Sequence, residues 1–172
     1  MNAWYHEGVD FVLKEGLMNG MSTTTFEPEG KLTRAQLVTI LYRMAGSPSV
    51  EGLNNPFADV KSGSWYTNAV IWAADEGVVK GTSETAFSPD VSITREQIAT
   101  ILYRYSGAEA VEENHLADFS DAAKISGYAK EAMTWAVSQG LINGMGNGTV
   151  APGETATRAQ IAVILMRFAQ KG

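Results

Sequence analysis

Apolar residues recur at helical spacing in three places along the chain. Leu37, Ile40, Leu41 and Met44 fall at i, i+3, i+4 and i+7, as do Ile98, Ile101, Leu102 and Tyr105, and then Ile161, Ile164, Leu165 and Phe168. Each set predicts a helix with one buried stripe. Upstream of each stripe a first helix is expected, over residues 4–15, 65–76 and 128–139. Gly16, Gly77 and Gly140 follow these stretches at once and read as left-handed helix stops. Phe11, Trp72 and Trp135 sit mid-helix among small residues and are expected in the core. A loop rich in Gly, Ser and Thr joins each pair of helices and closes on an aromatic-x-Pro or Val-Ala-Pro anchor.

The three units are copies of one another. Offsets of 61 and then 63 residues carry Trp4 to Trp65 and Tyr128, Gly20 to Gly81 and Gly144, Pro28 to Pro89 and Pro152, and Arg34 to Arg95 and Arg158. They also carry Arg43 to Arg104 and Arg167. Each second helix has a specified start: Thr33, Thr94 and Thr157 are natural N-caps, with Gln36, Gln97 and Gln160 completing capping boxes. Leu32 with Leu37 and Ile93 with Ile98 read as hydrophobic staples, and Ala156 with Ile161 as a weaker one. The fold predicted is all-α: three helix–loop–helix repeats at 1–46, 57–107 and 118–172, packing their second helices on each other about a pseudo-threefold axis. First helices and loops would lie outside.

Composition narrows the function. The 172 residues are 45% apolar and 19% charged with a net charge of −6, as expected of a globular protein without a broad basic surface for nucleic acid or an anionic membrane. There is no cysteine, so disulfides and thiolate metal sites are excluded. No apolar run approaches a membrane span, so membrane insertion is not expected. His6 and His115 have no repeated counterparts, and neither a metal nor a cofactor is implied.

Before the second unit stands FADV (Phe57 to Val60), and before the third FSDA (Phe119 to Ala122); the first unit has no such lead-in, which reads as truncation. The order FADV, aromatic-started helix, Gly-rich loop, F-x-P and TREQ helix resembles the S-layer homology family, whose modules occur as three tandem motifs. The resemblance covers essentially the whole chain. It implies a three-pronged, pseudo-trimeric helical bundle and a non-catalytic anchor on the bacterial cell surface. Its partner would be a secondary cell-wall polysaccharide linked to peptidoglycan, often capped by pyruvylated amino sugars and held in grooves between prongs. A monomer forming part of a larger exported protein is expected.

By position, the resemblance carries the ligand role to Arg34, Arg95 and Arg158, to Gly20, Gly81 and Gly144 of the loops, and to Asp59 and Asp121 of the lead-ins. Two departures accompany it: the family's TRAE is TRAQ, TREQ and TRAQ here, and the third loop lacks the Phe of the others.

The residues suit an anionic sugar. A helix N-terminus offers unpaired N–H groups to an anion, and an arginine there adds a fork matched to a carboxylate. Trp4, Trp65 and Tyr128 would stack on a sugar face, or belong to the core. The glycines serve ligand approach or backbone geometry, and the two aspartates bind or close turns. Arg43, Arg104 and Arg167, in the last helical turn, are read as complements to the helix dipole. Replacing the first arginine set with Ala is expected to abolish binding and leave the fold intact. The alternative function is a protein-interaction or self-assembly module of a surface protein. A glycan hydrolase would need paired carboxylates, and no acidic pair recurs in the three units.

Overall fold

The computed structural model describes residues 3–22, 24–112 and 114–171. The first helices are α1 (His6–Lys14), α3 (Thr67–Asp75) and α5 (Lys130–Ser138); the second helices are α2 (Arg34–Met44), α4 (Arg95–Ser106) and α6 (Arg158–Ala169). The described residues form no strand, and the architecture is all-α. Each first helix starts about one half-turn later than the sequence pattern indicates, because Trp4 and Trp65 precede it in turns and Tyr128 in a short 3-10 helix, Gly127–Ala129, and no side chain caps it. The stops fall as expected, with Gly16, Gly77 and Gly140 at φ 65, 68 and 66°.

All three capping boxes form. Thr33, Thr94 and Thr157 accept from the backbone N–H of Gln36, Gln97 and Gln160, whose side chains accept in return from the N-cap N–H at 2.9, 3.2 and 3.0 Å. The residue before each cap sits on the pseudo-threefold axis. There Leu32 N–H donates to Ala156 C=O, Ile93 N–H to Leu32 C=O and Ala156 N–H to Ile93 C=O, a closed ring of three backbone bonds. Leu32, Ile93 and Ala156 are fully buried in it, so the staple residues also join the units.

The helix pairing differs from the sequence expectation. The close pairs are α2 with α3, α4 with α5 and α6 with α1. Each prong therefore combines the second helix of one unit with the first helix of the next, and α1 on α6 closes the circle. The second helices form no close backbone pair with one another; they meet through side chains, as where the Tyr105 and Phe168 rings approach to 5.9 Å. Sandwiched this way, α2 is buried continuously over Leu37–Leu41 rather than along one stripe, and α4 and α6 repeat this.

Small residues set the prong contacts. Gly8 lies so close to α6 that an added Cβ would sit 2.8 Å from the Val163 backbone nitrogen. Ala69 and Ala132 hold the equivalent places and are buried. Trp72 and Trp135 are core residues, as expected, while Phe11 is partly buried against the core.

Candidate functional site: three grooves assembled from all three units

The interlocking of the units is densest at the starts of the second helices. Arg34 N–H donates to Val91 C=O and Ala35 N–H to Pro89 C=O; Arg95 and Glu96 donate likewise to Glu154 and Pro152, and Arg158 and Ala159 to Gly30 and Pro28, all within 2.8–3.0 Å. With the third N–H on the threonine cap, the helix end has no unpaired donor facing a ligand. The expectation that these N-termini attract an anion end-on is thereby corrected. The loop of the next unit occupies the place an anion would take.

The arginine side chains follow the same route. Arg34 donates from Nε to Phe87 C=O at 2.9 Å and from Nη2 to Lys80 C=O at 3.2 Å. Arg95 reaches Val150 C=O at 2.8 Å and Asn143 C=O at 2.7 Å. Arg158 reaches Phe26 C=O at 2.8 Å and Asn19 C=O at 2.6 Å. All three residues are only 5% exposed. Arg34 also stacks over Phe87 at 4.8 Å and Arg158 over Phe26 at 4.6 Å; Arg95, facing the Val150 loop, has no such ring. Burial lowers the pKa of each guanidinium, opposed for Arg34 by Tyr128 and Asp59, for Arg95 by Glu154 and Asp121, and for Arg158 by Glu27. Arginine stays charged in proteins all the same. Each is thus a cationic keystone tying a helix start to both ends of the next loop. The expectation that three alanines leave the fold intact does not survive this geometry, since a buried charge-assisted bond is worth about 1.5–3 kcal/mol.

Asp59 and Asp121 have an equally definite place. Asp59 accepts from Phe87 and Ser88 N–H, and Asp121 from Val150 and Ala151 N–H, every bond at 2.8 Å. Burial would raise these carboxyl pKa values, but the backbone bonds prevail and hold both below the ordinary value. Ser88 and Ala151 are left-handed at φ 58 and 49°, as is Glu27 of the first loop at 55°. An L-residue pays roughly 1–2 kcal/mol there, and the aspartate clamps offset that strain. The two carboxylates stand behind the loops and are not among the groove-lining residues.

In front of the loops lie three equivalent grooves. Groove A is lined by Arg34, by Lys80, Gly81 and Thr82, by Arg104 and by Tyr128. Groove B is lined by Arg158, by Asn19, Gly20 and Met21, by Arg43 and by Trp65. Groove C is lined by Arg95, by Asn143, Gly144 and Met145, by Arg167 and by Trp4. Each takes its inner arginine from one unit, its loop and outer arginine from the next, and its aromatic from the one after that. Their volumes are about 450, 200 and 390 Å³; ligand cavities commonly span roughly 300–1,000 Å³, a range that A and C enter.

The sequence-predicted residues therefore converge, apart from the aspartates. Trp4, Trp65 and Tyr128 lie on the surface rather than in the core, exposed by 65, 63 and 57%. The glycines are demanded by backbone crowding: a Cβ on Gly20 would lie 2.5 Å from Ser22 C=O, and one on Gly81 or Gly144 would strike the lead-in Phe57 or Phe119 ring at 2.7 or 2.6 Å. The lead-in phenylalanines are thus the backstop of the groove floor.

Arg43, Arg104 and Arg167 stand in the last turn of their helices, as read from the sequence, and also line the groove walls. Their recurrence once in every unit, on the helix carrying the capping box, was the available signal. They stand nine residues beyond the inner set, two and a half turns along and half a turn around the same helix, so this spacing alone does not put both sets on one side.

Threefold-repeated grooves with paired arginines, a glycine floor and an exposed aromatic, on an interlocked all-α bundle of three tandem units, mark a repeat-built surface-anchoring class of module. The S-layer homology domain model matches residues 1–38, 56–99 and 118–162, and the chain belongs to that family.

Along nearly its whole length the chain is 32% identical to an amylopullulanase of Thermoanaerobacterium thermosulfurigenes and 31% identical to the exoglucanase XynX of Acetivibrio thermocellus, covering 98% of this chain in each case. It is also 31% identical to a surface-layer 125 kDa protein of Lysinibacillus sphaericus over 97% of its length. The match spans only 9, 16 and 14% of those proteins. What the chain shares with them is a non-catalytic cell-wall anchoring module of a kind that binds cell-wall polymers, with a cell-surface, cell-wall-associated location. Among the described residues no helix is long and apolar enough to cross a membrane, and no group of acidic or histidine side chains is arranged to hold a metal.

Proposed function

We propose that the three grooves bind anionic sugar residues of a secondary cell-wall polysaccharide, with pyruvyl-ketal amino sugars as the preferred class. The observation that carries this reading is the recurrence in every groove of an outer arginine opposite an exposed aromatic platform. The outer guanidinium takes the ketal carboxylate and the platform takes the sugar ring. The inner arginine contributes through its remaining edge while its Nε and Nη2 stay on the loop carbonyls. Three grooves engaging one polymer raise the overall affinity without further contacts.

The test is co-sedimentation of the full chain with cell-wall sacculi before and after removal of the polymer, and with sacculi lacking the pyruvyl ketal. Binding that is lost on both treatments, and lost in a Trp4→Ala, Trp65→Ala, Tyr128→Ala variant that remains folded, is the expected result. Retained binding to stripped sacculi would remove the polysaccharide reading. Concentration-dependent oligomers on size exclusion, without wall affinity, would instead favour a self-assembly module whose contacts are these exposed tryptophans and Met21 and Met145.

A further inference from the structure

The three grooves are equivalent in backbone but not in lining, and the differences fall together. At the first loop position groove A has Lys80 where B and C have Asn19 and Asn143. Two residues on it has Thr82 where they have Met21 and Met145, and its platform is Tyr128 where theirs are Trp65 and Trp4. Grooves B and C thus face their ligand with a methionine and an indole, both exposed. Groove A replaces both with hydroxyl-bearing residues and adds a third cation to Arg34 and Arg104. No carboxylate lines any of the three grooves.

Groove A also has a support the others lack. Glu96, 8% exposed, stands where the other second helices have Ala35 and Ala159. It accepts from Ser126 N–H at 2.9 Å, from the Ser126 hydroxyl at 2.7 Å and from the Tyr128 hydroxyl at 3.4 Å. The carboxylate stands behind the platform on these three neutral donors, and the tyrosine ring is tethered by its far end.

We infer that groove A is specialised for a saccharide carrying two negative charges, while grooves B and C take a singly charged residue with an apolar, methyl-bearing face. This rests on the carbohydrate reading of the grooves. The chemistry is specific: three cations around one cavity suit a dianion, and thioether and indole surfaces suit a methyl group and the apolar face of a pyranose. A phosphorylated sugar and a sugar bearing two carboxylates share the required charge.

The test titrates the full chain with three probes by calorimetry while following the side-chain indole resonances of Trp4 and Trp65. The probes are a pyruvyl-ketal amino sugar glycoside with one charge, N-acetylglucosamine 6-phosphate, and the ketal glycoside bearing an added uronate carboxylate. The singly charged probe is expected to move both indole resonances. At least one dianion is expected to bind with a stoichiometry of one and leave both resonances in place; which dianion does so separates phosphate from dicarboxylate.

Converting groove A to the pattern of its neighbours with Lys80→Asn, Thr82→Met and Tyr128→Trp should weaken that site about tenfold or more, the effect of one charge-assisted contact. The double variant Lys80→Asn, Thr82→Met keeps the Glu96 tether and should show the same direction. Converting groove B with Asn19→Lys, Met21→Thr and Trp65→Tyr should add a second dianion site. Dianion binding that ignores all these exchanges, or that moves Trp4 and Trp65 as strongly as the single charge does, overturns the inference and leaves the carbohydrate reading standing. Failure of every probe at every groove removes both.

Discussion

Two arginines in each unit are nine residues apart on the same helix, and they live in different worlds. Arg34, Arg95 and Arg158 are buried, two of their donor groups are fixed on backbone carbonyls of the next unit, and a loop lies over them. Arg43, Arg104 and Arg167 stand further along the groove and range from half-buried to exposed; among their bonds is one from Arg43 Nη1 to Leu17 C=O at 3.2 Å. Recurrence three times over is therefore no guide to which of the two arginine sets is buried. The inner set holds the groove together so that the outer set has something to line.

The contrast breaks most visibly at the inner set. Arg95→Ala is expected to lose about 3 kcal/mol of stability, because two buried carbonyls lose a charged donor; urea unfolding measures it, and an unchanged midpoint would defeat the keystone assignment. Arg34→Ala and Arg158→Ala should each lose the contact with Phe87 or Phe26 as well. The triple variant is expected not to fold.

Next in size is the clamp behind the inner set. Asp121→Asn should lower stability by about 2 kcal/mol, since one amide oxygen cannot replace a carboxylate bonded to two N–H groups. The same clamps set an acid limit. Their folded pKa values lie below the ordinary carboxylate value, so their stabilisation is complete above about pH 4 and is lost as pH falls through the lower folded values. Thermal unfolding from pH 5 to pH 2 should show this slope, reduced in Asp59→Asn, Asp121→Asn.

A smaller effect of opposite sign sharpens the comparison from the loop side. Ala151 is left-handed without being glycine, and Ala151→Gly should raise stability by up to about 1 kcal/mol. A lower midpoint would mean the strain has been misjudged. Smallest in stability is Arg104→Ala, expected within about 0.5 kcal/mol of the parent. Its wall binding should nonetheless fall and become less sensitive to salt, measured by co-sedimentation between 50 mM and 500 mM salt.

The local structure was legible in the residues. Thr33 with Gln36, Gly16 with its left-handed φ and the Leu37–Leu41 stripe each act within a few residues, where spacing decides the outcome. The units' partners were less so. Nothing in α3 says whether it packs on α2 or on α4, because neighbouring units offer the same apolar faces; the choice is made by backbone bonds between units, such as Arg34 N–H to Val91 C=O. For the same reason Arg34 read as a free guanidinium. Its acceptors, Phe87 and Lys80 C=O, are carbonyls that any residue supplies, so they leave no mark in the sequence.

The closure of α1 on α6 has a mechanical consequence. Tension drawn through either flank of the module arrives first at that pair, where Gly8 lies against the Val163 backbone. Groove C takes Trp4 from beside α1 and Val163, Ile164 and Arg167 from α6, so it spans this seam. Groove A draws nothing from either of these helices. Parting α1 from α6 would therefore divide the lining of groove C and leave that of groove A whole.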